Sequence, residues 1–409
     1  MRGLMSACSV ASTFAAGPCP ATLDCVDVAR PSLLAVYVSC GSGHRRAAQA
    51  VVAAARERGI EADSVNLLDH VHPLFRRFYQ NGYEWTVRHA PALWAGLYAS
   101  AAHPRSEAVL RSIQAFLSRP SARPFFDLIE ASRPSTVVAT HFLAVHLLGP
   151  LRARYGFRLA AAITDFEAHP FWIDPAVDMY TVAHEDVARE LEALGVPRGK
   201  IEVTGIPIQP DLDRLDPAAC RQALGIPEDE RVILVLSGGI GVGRIEQVVT
   251  ELARRRVAAS VWVSAGNDAG RRRRLEALAS SLPLRVRAFG FVDNIEDYLG
   301  SADVLVTKPG GLTVSEALAR RLPTVLIDPI PGQEEANARF LASRGAALRA
   351  DGAAEAASAA LRLLGDPGLR SDLRRRMESL ARPNAAPDAV KRLFPDGPEE
   401  RQPRGSEHQ

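Results

Sequence analysis

Residues 308–337 read KPGGLTVSEALARRLPTVLIDPIPGQEEAN. A short apolar run at 304–306 ends in Pro309-Gly310-Gly311 and passes at once into a helical pattern, the order of a buried strand, a tight turn and a helix. Thr313 and Glu316 lie three residues apart early in that helix and share one face. A second strand at 324–327 leads through Asp328-Pro329-Ile330-Pro331-Gly332 to Gln333 and Glu334. Two successive strand-to-helix turns place polar groups at the carboxyl edge of one parallel sheet, where open α/β folds bind ligands. The first turn offers N–H groups at a helix N-terminus for a phosphate, and Glu316 offers a carboxylate for a sugar diol. Together they suit a nucleotide-sugar.

The same rhythm extends in both directions. Residues 33–38 form a β-branched apolar run that breaks at Ser39-Cys40-Gly41-Ser42-Gly43, and a helix follows from His44 to about Arg58. Further strands are expected at 62–67, 136–140, 159–164, 179–183 and 201–204, alternating with helices. A second strand and Gly-rich loop, 232–236 and Ser237–Gly243, opens another series with strands at 260–264 and 285–289. This is βαβ order, an α/β chain of two Rossmann-like domains facing a cleft. The expected boundaries are a disordered extension at 1–31, a first domain at 32–208, a second at 209–382, and a disordered, Pro-, Glu- and Arg-rich tail at 383–409.

Of 409 residues, 47% are apolar and 23% charged, and the net charge is +2, so composition gives no support to nucleic-acid binding. The five cysteines show no zinc spacing, which fits a reduced, cytoplasmic compartment. No apolar run reaches the 18 residues that a spanning helix needs. Residues 75–98 nevertheless hold seven of the 25 aromatics, among them Phe78, Tyr83, Trp85 and Trp94, interleaved with Arg76, Arg77 and Arg88. Between 44 and 123 there are eleven arginines against six acidic residues. An aromatic, basic segment of this kind suits the interface of an anionic membrane; the alternative is a helical pair packed on the sheet.

Several residues are candidates for chemistry. His44 opens the helix after the first Gly loop, with Gly43 beside it; an ordinary imidazole pKa suits a general base at neutral pH. A dinucleotide fingerprint is the rival, since Gly41-x-Gly43 follows a strand and Asp63 lies 20 residues on, but Arg46 replaces the third glycine. Thr164–Trp172 follows another strand, so Asp165, His169 and Trp172 reach the same edge, where Asp165 and His169 orient the acceptor or His44. A metal reading of Asp165, His169 and His141 lacks ligand spacing. The second Gly loop lacks the Lys-Ser/Thr of a P-loop, yet its backbone N–H groups, with Gly239 and Gly241, suit a diphosphate without metal. Phe291 and Val292 close another strand at this edge, and their backbone is placed to pair with a base or else to be buried.

The motifs SCGSGHRRAA (39–48), TDFEAHPFW (164–172), DMYTVAHEDV (178–187), TGIPI (204–208), SGGIGVG (237–243) and the stretch from 308 follow one another in an order that resembles a known family. Residues 33–380 are similar to the GT-B glycosyltransferases of the monogalactosyl/monoglucosyl-diacylglycerol synthase type (glycosyltransferase family 28), relatives of the peptidoglycan-precursor N-acetylglucosaminyltransferase. The resemblance implies inverting transfer of a hexose from a UDP-sugar to a lipid hydroxyl such as that of 1,2-diacylglycerol, by a peripheral protein on the inner face of the cell membrane, with no metal or other cofactor. It implies His44 as base, Phe291 and Val292 at uracil, Thr313 with Gly310, Gly311 and Leu312 at the diphosphate, Glu316 at the ribose, and Gln333 and Glu334 at the sugar hydroxyls. Transfer of N-acetylglucosamine to a lipid-linked cell-wall precursor is the nearest alternative. An NAD-dependent oxidoreductase or a non-catalytic lipid-binding module represents a different class.

Overall fold

Two six-stranded parallel sheets, each with its own crossover helices, carry the chain in a computed structural model that describes residues 33–90, 92–93, 95–96, 120–238 and 243–395. The first domain runs β1 (Leu33–Tyr37), α1 (Gly43–Glu57), β2 (Ala62–Asn66), α2 (Pro73–His89), α3 (Arg123–Ser132), β3 (Thr136–Ala139), α4 (Phe142–Tyr155), β4 (Arg158–Ala162), β5 (Met179–Val182), α5 (Glu185–Ala193) and β6 (Ile201–Val203). Its sheet order is β2-β1-β3-β4-β5-β6. The second runs α6 (Pro217–Leu224), β7 (Val232–Leu236), α7 (Ile245–Arg254), β8 (Ser260–Ser264), α8 (Ala269–Ser281), β9 (Val286–Phe289), α9 (Ile295–Ser301), β10 (Val304–Thr307), α10 (Gly311–Arg320), β11 (Thr324–Ile327), α11 (Gln333–Ser343), β12 (Leu348–Ala350), α12 (Ala353–Gly365) and α13 (Pro367–Leu380). Its order is β12-β11-β10-β7-β8-β9.

Central strands such as β3 and β7 are buried along their whole length, which is why they read as unbroken apolar runs rather than alternating ones. Strand order reverses between β1 and β3 in one sheet and between β7 and β10 in the other. Those two reversals leave a crevice at the carboxyl ends of the strands. The loops that open there are 38–42 and 140–141 on one side, and 237–238 and 308–310 on the other.

The chain crosses between domains twice. Segment 204–216 leads from β6 to α6, and 381–384 leads back. The crossings meet at Gly205, whose φ is +98° and where an added Cβ would stand 2.4 Å from Arg382 Cβ, leaving no room for a side chain. The return corrects the first part of the disordered tail expected at 383–409, because α14 (Ala385–Leu393) is a helix on the first domain, while residues 396–409 lie outside the described residues. Ala386, Val390 and Leu393 recur at helical spacing and pack with Val51, Val52 and Ala55 of α1. Arg58 and Arg158 donate to the carbonyls of Phe394 and Leu393 at 3.1 and 2.8 Å. The Pro- and Arg-rich composition around this stripe hides three apolar positions that suffice to dock a short helix.

Candidate active site

His44 stands in the first turn of α1, at the reversal between β1 and β3. Its Nδ1 lies 2.6 Å from the Thr140 carbonyl, which only accepts, so Nδ1 carries the proton and Nε2 is the free acceptor. Thr140 Oγ1 donates back to the His44 carbonyl at 2.9 Å, locking the two loops together. Burial lowers the His44 pKa to about 4, against the opposing Thr140 hydrogen bond, so the ring is neutral at pH 7. The His141 ring meets it edge-on at 4.7 Å and is also held neutral by burial.

Asp165 follows β4. Burial raises its pKa to about 6; the Asn337 amide, 3.0 Å from Oδ1, opposes that rise, and Glu334 and Glu167 add to it. From the second domain, α10 presents an N-terminus that no side chain caps. A Cβ on Gly311 would stand 1.9 Å from the Thr164 carbonyl, so only glycine lets this helix end approach the first domain.

A cavity of about 140 Å³ lies between the domains, and its wall includes His44, Gly43 and Asp165 on one side. The other side carries Gly310, Gly311, Leu312, Thr313, Gln333, Glu334 and Lys308. Residues 120 or more positions apart in sequence are thus brought to one space. Gln333 Oε1 is buried there with no hydrogen-bond partner, a standing acceptor for a hydroxyl. Glu334 is committed on both oxygens, accepting from Ile330 N at 2.8 Å and pairing with Lys308 Nζ at 3.3 Å. An adjoining slot of about 70 Å³ is lined by Tyr79, His141, Phe142, His169, Phe171 and Trp172. Its largely apolar wall adjoins His44 and Asp165, which also border it.

Phe291 and Val292 line a neighbouring recess with Ser264, Gly266 and Thr313, and the Arg45 guanidinium sits 5.1 Å over the Phe291 ring. Glu316 does not reach the central cavity. It is buried under Arg46, whose guanidinium pairs with it at 2.8 Å and with Glu296 at 2.5 Å. Burial pushes the Glu316 carboxyl up to about 7, with Arg46 opposing and Glu296 reinforcing the shift. Phe78 and Trp85 also lie away from the cavity, on the outer face of α2, where they are 78% and 57% exposed beside Leu74 at 73%. Phe75 and Tyr79 of the same helix turn inward and stack at 5.6 Å. Gly239, Gly241, Trp94 and the Tyr83 side chain lie outside the described residues.

Three functional candidates escaped the sequence reading. Arg46 was visible only as a missing glycine, Lys308 as the end of a strand, and Asn337 as a residue four positions after Gln333 on one helix face. Asp63, the acid of the dinucleotide fingerprint, is exposed and accepts from Ser64 N at 2.7 Å. Among the described residues, no group of three or more His, Cys, Asp or Glu side chains converges as a metal site. No described helix is long and apolar enough to cross a membrane.

Residues 44–208 match the monogalactosyldiacylglycerol (MGDG) synthase family, and residues 218–382 match the glycosyl transferases group 1. A processive diacylglycerol beta-glucosyltransferase of Bacillus mycoides (strain KBAB4) is 26% identical over 364 residues, covering 88% of this chain and 92% of that protein. One from Staphylococcus carnosus (strain TM300) is 25% identical over 357 residues, covering 85% and 88%. The crystal structure of Acinetobacter baumannii MurG is similar in fold, with a TM-score of 0.54 at 15% identity over 89% of this chain and 100% of that one.

Proposed function

Because the chain is a GT-B glycosyltransferase whose first domain belongs to the monogalactosyldiacylglycerol synthase family, we propose that it moves a hexose from a UDP-sugar to the hydroxyl of 1,2-diacylglycerol, with inversion at the anomeric carbon. The observation that carries this reading is the single cavity bordered by His44 and Asp165 from one domain and by the α10 N-terminus, Lys308 and Gln333 from the other. The beta-glucosyltransferase names of the relatives make glucose the first sugar to test.

The acceptor hydroxyl attacks the anomeric carbon from the face opposite UDP, and the bond from that carbon to the diphosphate oxygen breaks. Charge then accumulates on the diphosphate, where the Gly311, Leu312 and Thr313 N–H groups stand ready to receive it, with Lys308, paired to Glu334, on the same cavity wall. The hydroxyl proton needs a base. His44 is neutral and offers Nε2, but with a pKa of about 4 it is a weak proton acceptor. Asp165, at about 6, is the stronger one and borders the same space. We assign proton acceptance to Asp165 and alignment of the hydroxyl to His44. Gln333 Oε1 accepts from a sugar hydroxyl.

A cavity of about 140 Å³ is below the roughly 300–1,000 Å³ of ligand pockets, so the donor enters as the domains part. The exposed stripe of Leu74, Phe78 and Trp85 with Arg77 alongside suits the interfacial zone of an anionic bilayer and supports a peripheral position on the inner membrane face. The test is a panel of UDP-sugars with diacylglycerol vesicles, products weighed by mass spectrometry. UDP release coupled to a monohexosyl lipid is expected; no turnover with any UDP-sugar would leave only a binding module. Thermal protection by NAD and not by UDP would return the oxidoreductase.

A further inference from the structure

Asn337 is fully buried on α11 of the second domain, and its amide spends every strong hydrogen bond on a loop junction. Oδ1 accepts from the Phe166 backbone N–H at 2.8 Å. Nδ2 donates to Asp165 Oδ1 and to the Pro309 carbonyl, both at 3.0 Å. The orientation is unambiguous, because an N–H faces the amide oxygen and two pure acceptors face the amide nitrogen. Residues 165 and 166 belong to the first domain, while 309 precedes the diphosphate-facing turn of the second. One side chain therefore joins the loop after β4, the loop after β10 and helix α11.

We propose that Asn337 is a positioning residue, an amide carried by the donor domain that aims the Asp165 carboxylate and completes it only when the two domains close. This rests on the assignment of Asp165 as proton acceptor. The groups around Asp165 give the amide its importance. Glu167 on the same loop and Glu334 on α11 both oppose its ionisation, and Glu334 holds Lys308 to itself. His44 and His169 border the same spaces; His44 is neutral, and His169 Nδ1 accepts from Phe171 N. Glu167 faces Arg339 at 3.6 Å. Among the described residues no ion pair reaches Asp165, so the hydrogen bond that favours its charged form comes from Asn337. When the domains separate, Asp165 loses that donor and becomes an ordinary solvated carboxylate. Base and donor site thus come into register together when the domains close.

The experiment compares the pH dependence of kcat in the full-length protein, with UDP-glucose and diacylglycerol vesicles, for wild type, Asn337→Leu and Asn337→Asp. Leucine keeps the branched outline and removes the donor; the introduced carboxyl adds like charge beside Asp165. The acid limb should move upward in the order wild type, Asn337→Leu, Asn337→Asp, by at least one pH unit for leucine, which is about a tenfold loss below the limb with recovery above it. The position of the limb, and not UDP affinity, is the deciding readout, because Asn337 also holds the Pro309 carbonyl beside the diphosphate turn. A merely structural asparagine lowers turnover equally at every pH and moves no limb, and that result overturns the proposal. Should Asn337→Leu melt below the assay temperature, Asn337→Ser replaces it, its hydroxyl serving one of the two acceptors, and must show a smaller upward shift. Asp165→Asn separates the two ideas: if it retains turnover, the base assignment fails by itself, whereas an inactive Asp165→Asn with an unshifted Asn337→Leu limb rejects the positioning role alone.

Discussion

Arg46 of α1 crosses the cleft to pair with Glu316 of α10 at 2.8 Å, and the same guanidinium holds Glu296 of α9 at 2.5 Å. The carboxylate expected to take a ribose is therefore covered by the opposite domain in the closed, ligand-free arrangement. A ribose diol held by Glu316 would compete with Arg46 for that carboxylate, and donor binding would then displace the pair.

Glu316→Ala should weaken UDP binding by about 1.5–3 kcal/mol, the range for hydrogen bonds to a charged group. Arg46→Ala, which uncovers that carboxylate, should leave UDP binding equal or tighter and expand the ligand-free protein in small-angle scattering. Calorimetric titration reads the first; unchanged affinity in Glu316→Ala removes the ribose role.

The pH profile identifies the proton acceptor. A base works only when deprotonated, so kcat should fall as pH drops through its pKa. For Asp165, raised by burial to about 6, the acid limb lies near 6; for His44, lowered by burial to about 4, it would lie near 4. His44→Ala should cut kcat about a hundredfold or more while UDP affinity is nearly intact. A limb near 4 that vanishes in His44→Ala returns the base to histidine.

Gly311→Ala tests closure. The added methyl would meet the Thr164 carbonyl at 1.9 Å, across the domain boundary. Each domain should fold as before, with the melting temperature within a few degrees, while kcat falls at least tenfold because the α10 N-terminus cannot seat. Wild-type turnover would show that closure is looser than this contact.

Phe78→Ser with Trp85→Ser removes two exposed rings that no core contact requires. Stability should change by about 0.5 kcal/mol or less at each site. Binding to anionic vesicles should drop, and turnover on a short-chain, soluble acceptor should persist. The wild-type tryptophan emission should shift to the blue on vesicle addition; a flat titration assigns these rings to some other surface.

Leu393→Ala examines the returning helix. Leu393 is buried against α1, so truncation should cost about 2–5 kcal/mol, seen as a lower denaturant midpoint with unchanged slope. A change below 0.5 kcal/mol would make α14 an ornament of the first domain rather than part of its core.

The α/β order, the two Gly-loop openings and the polar edge at 308–337 were legible because they are local. Apolar runs with β-branching announce buried parallel strands, and a glycine turn before a helical pattern announces an N-terminus, whatever the rest of the chain does. His44, Asp165, Gly311, Thr313 and Gln333 could be placed at sheet edges by this logic alone, and the structure brings all five to one cavity. What they touch was not legible. Arg46 and Glu296 are 250 positions apart, Asn337 and Asp165 172, and no periodicity encodes such a pairing. The same holds for α14, whose short apolar stripe acquires meaning only against α1. The sequence by itself determined which elements form and which edge carries the chemistry, because backbone preference and burial act over a few residues. The tertiary structure alone decided that Glu316 is covered by Arg46, that Asp165 is held by an amide of the other domain, and that burial keeps the His44 ring neutral, because desolvation and hydrogen bonding depend on what the fold places alongside each group.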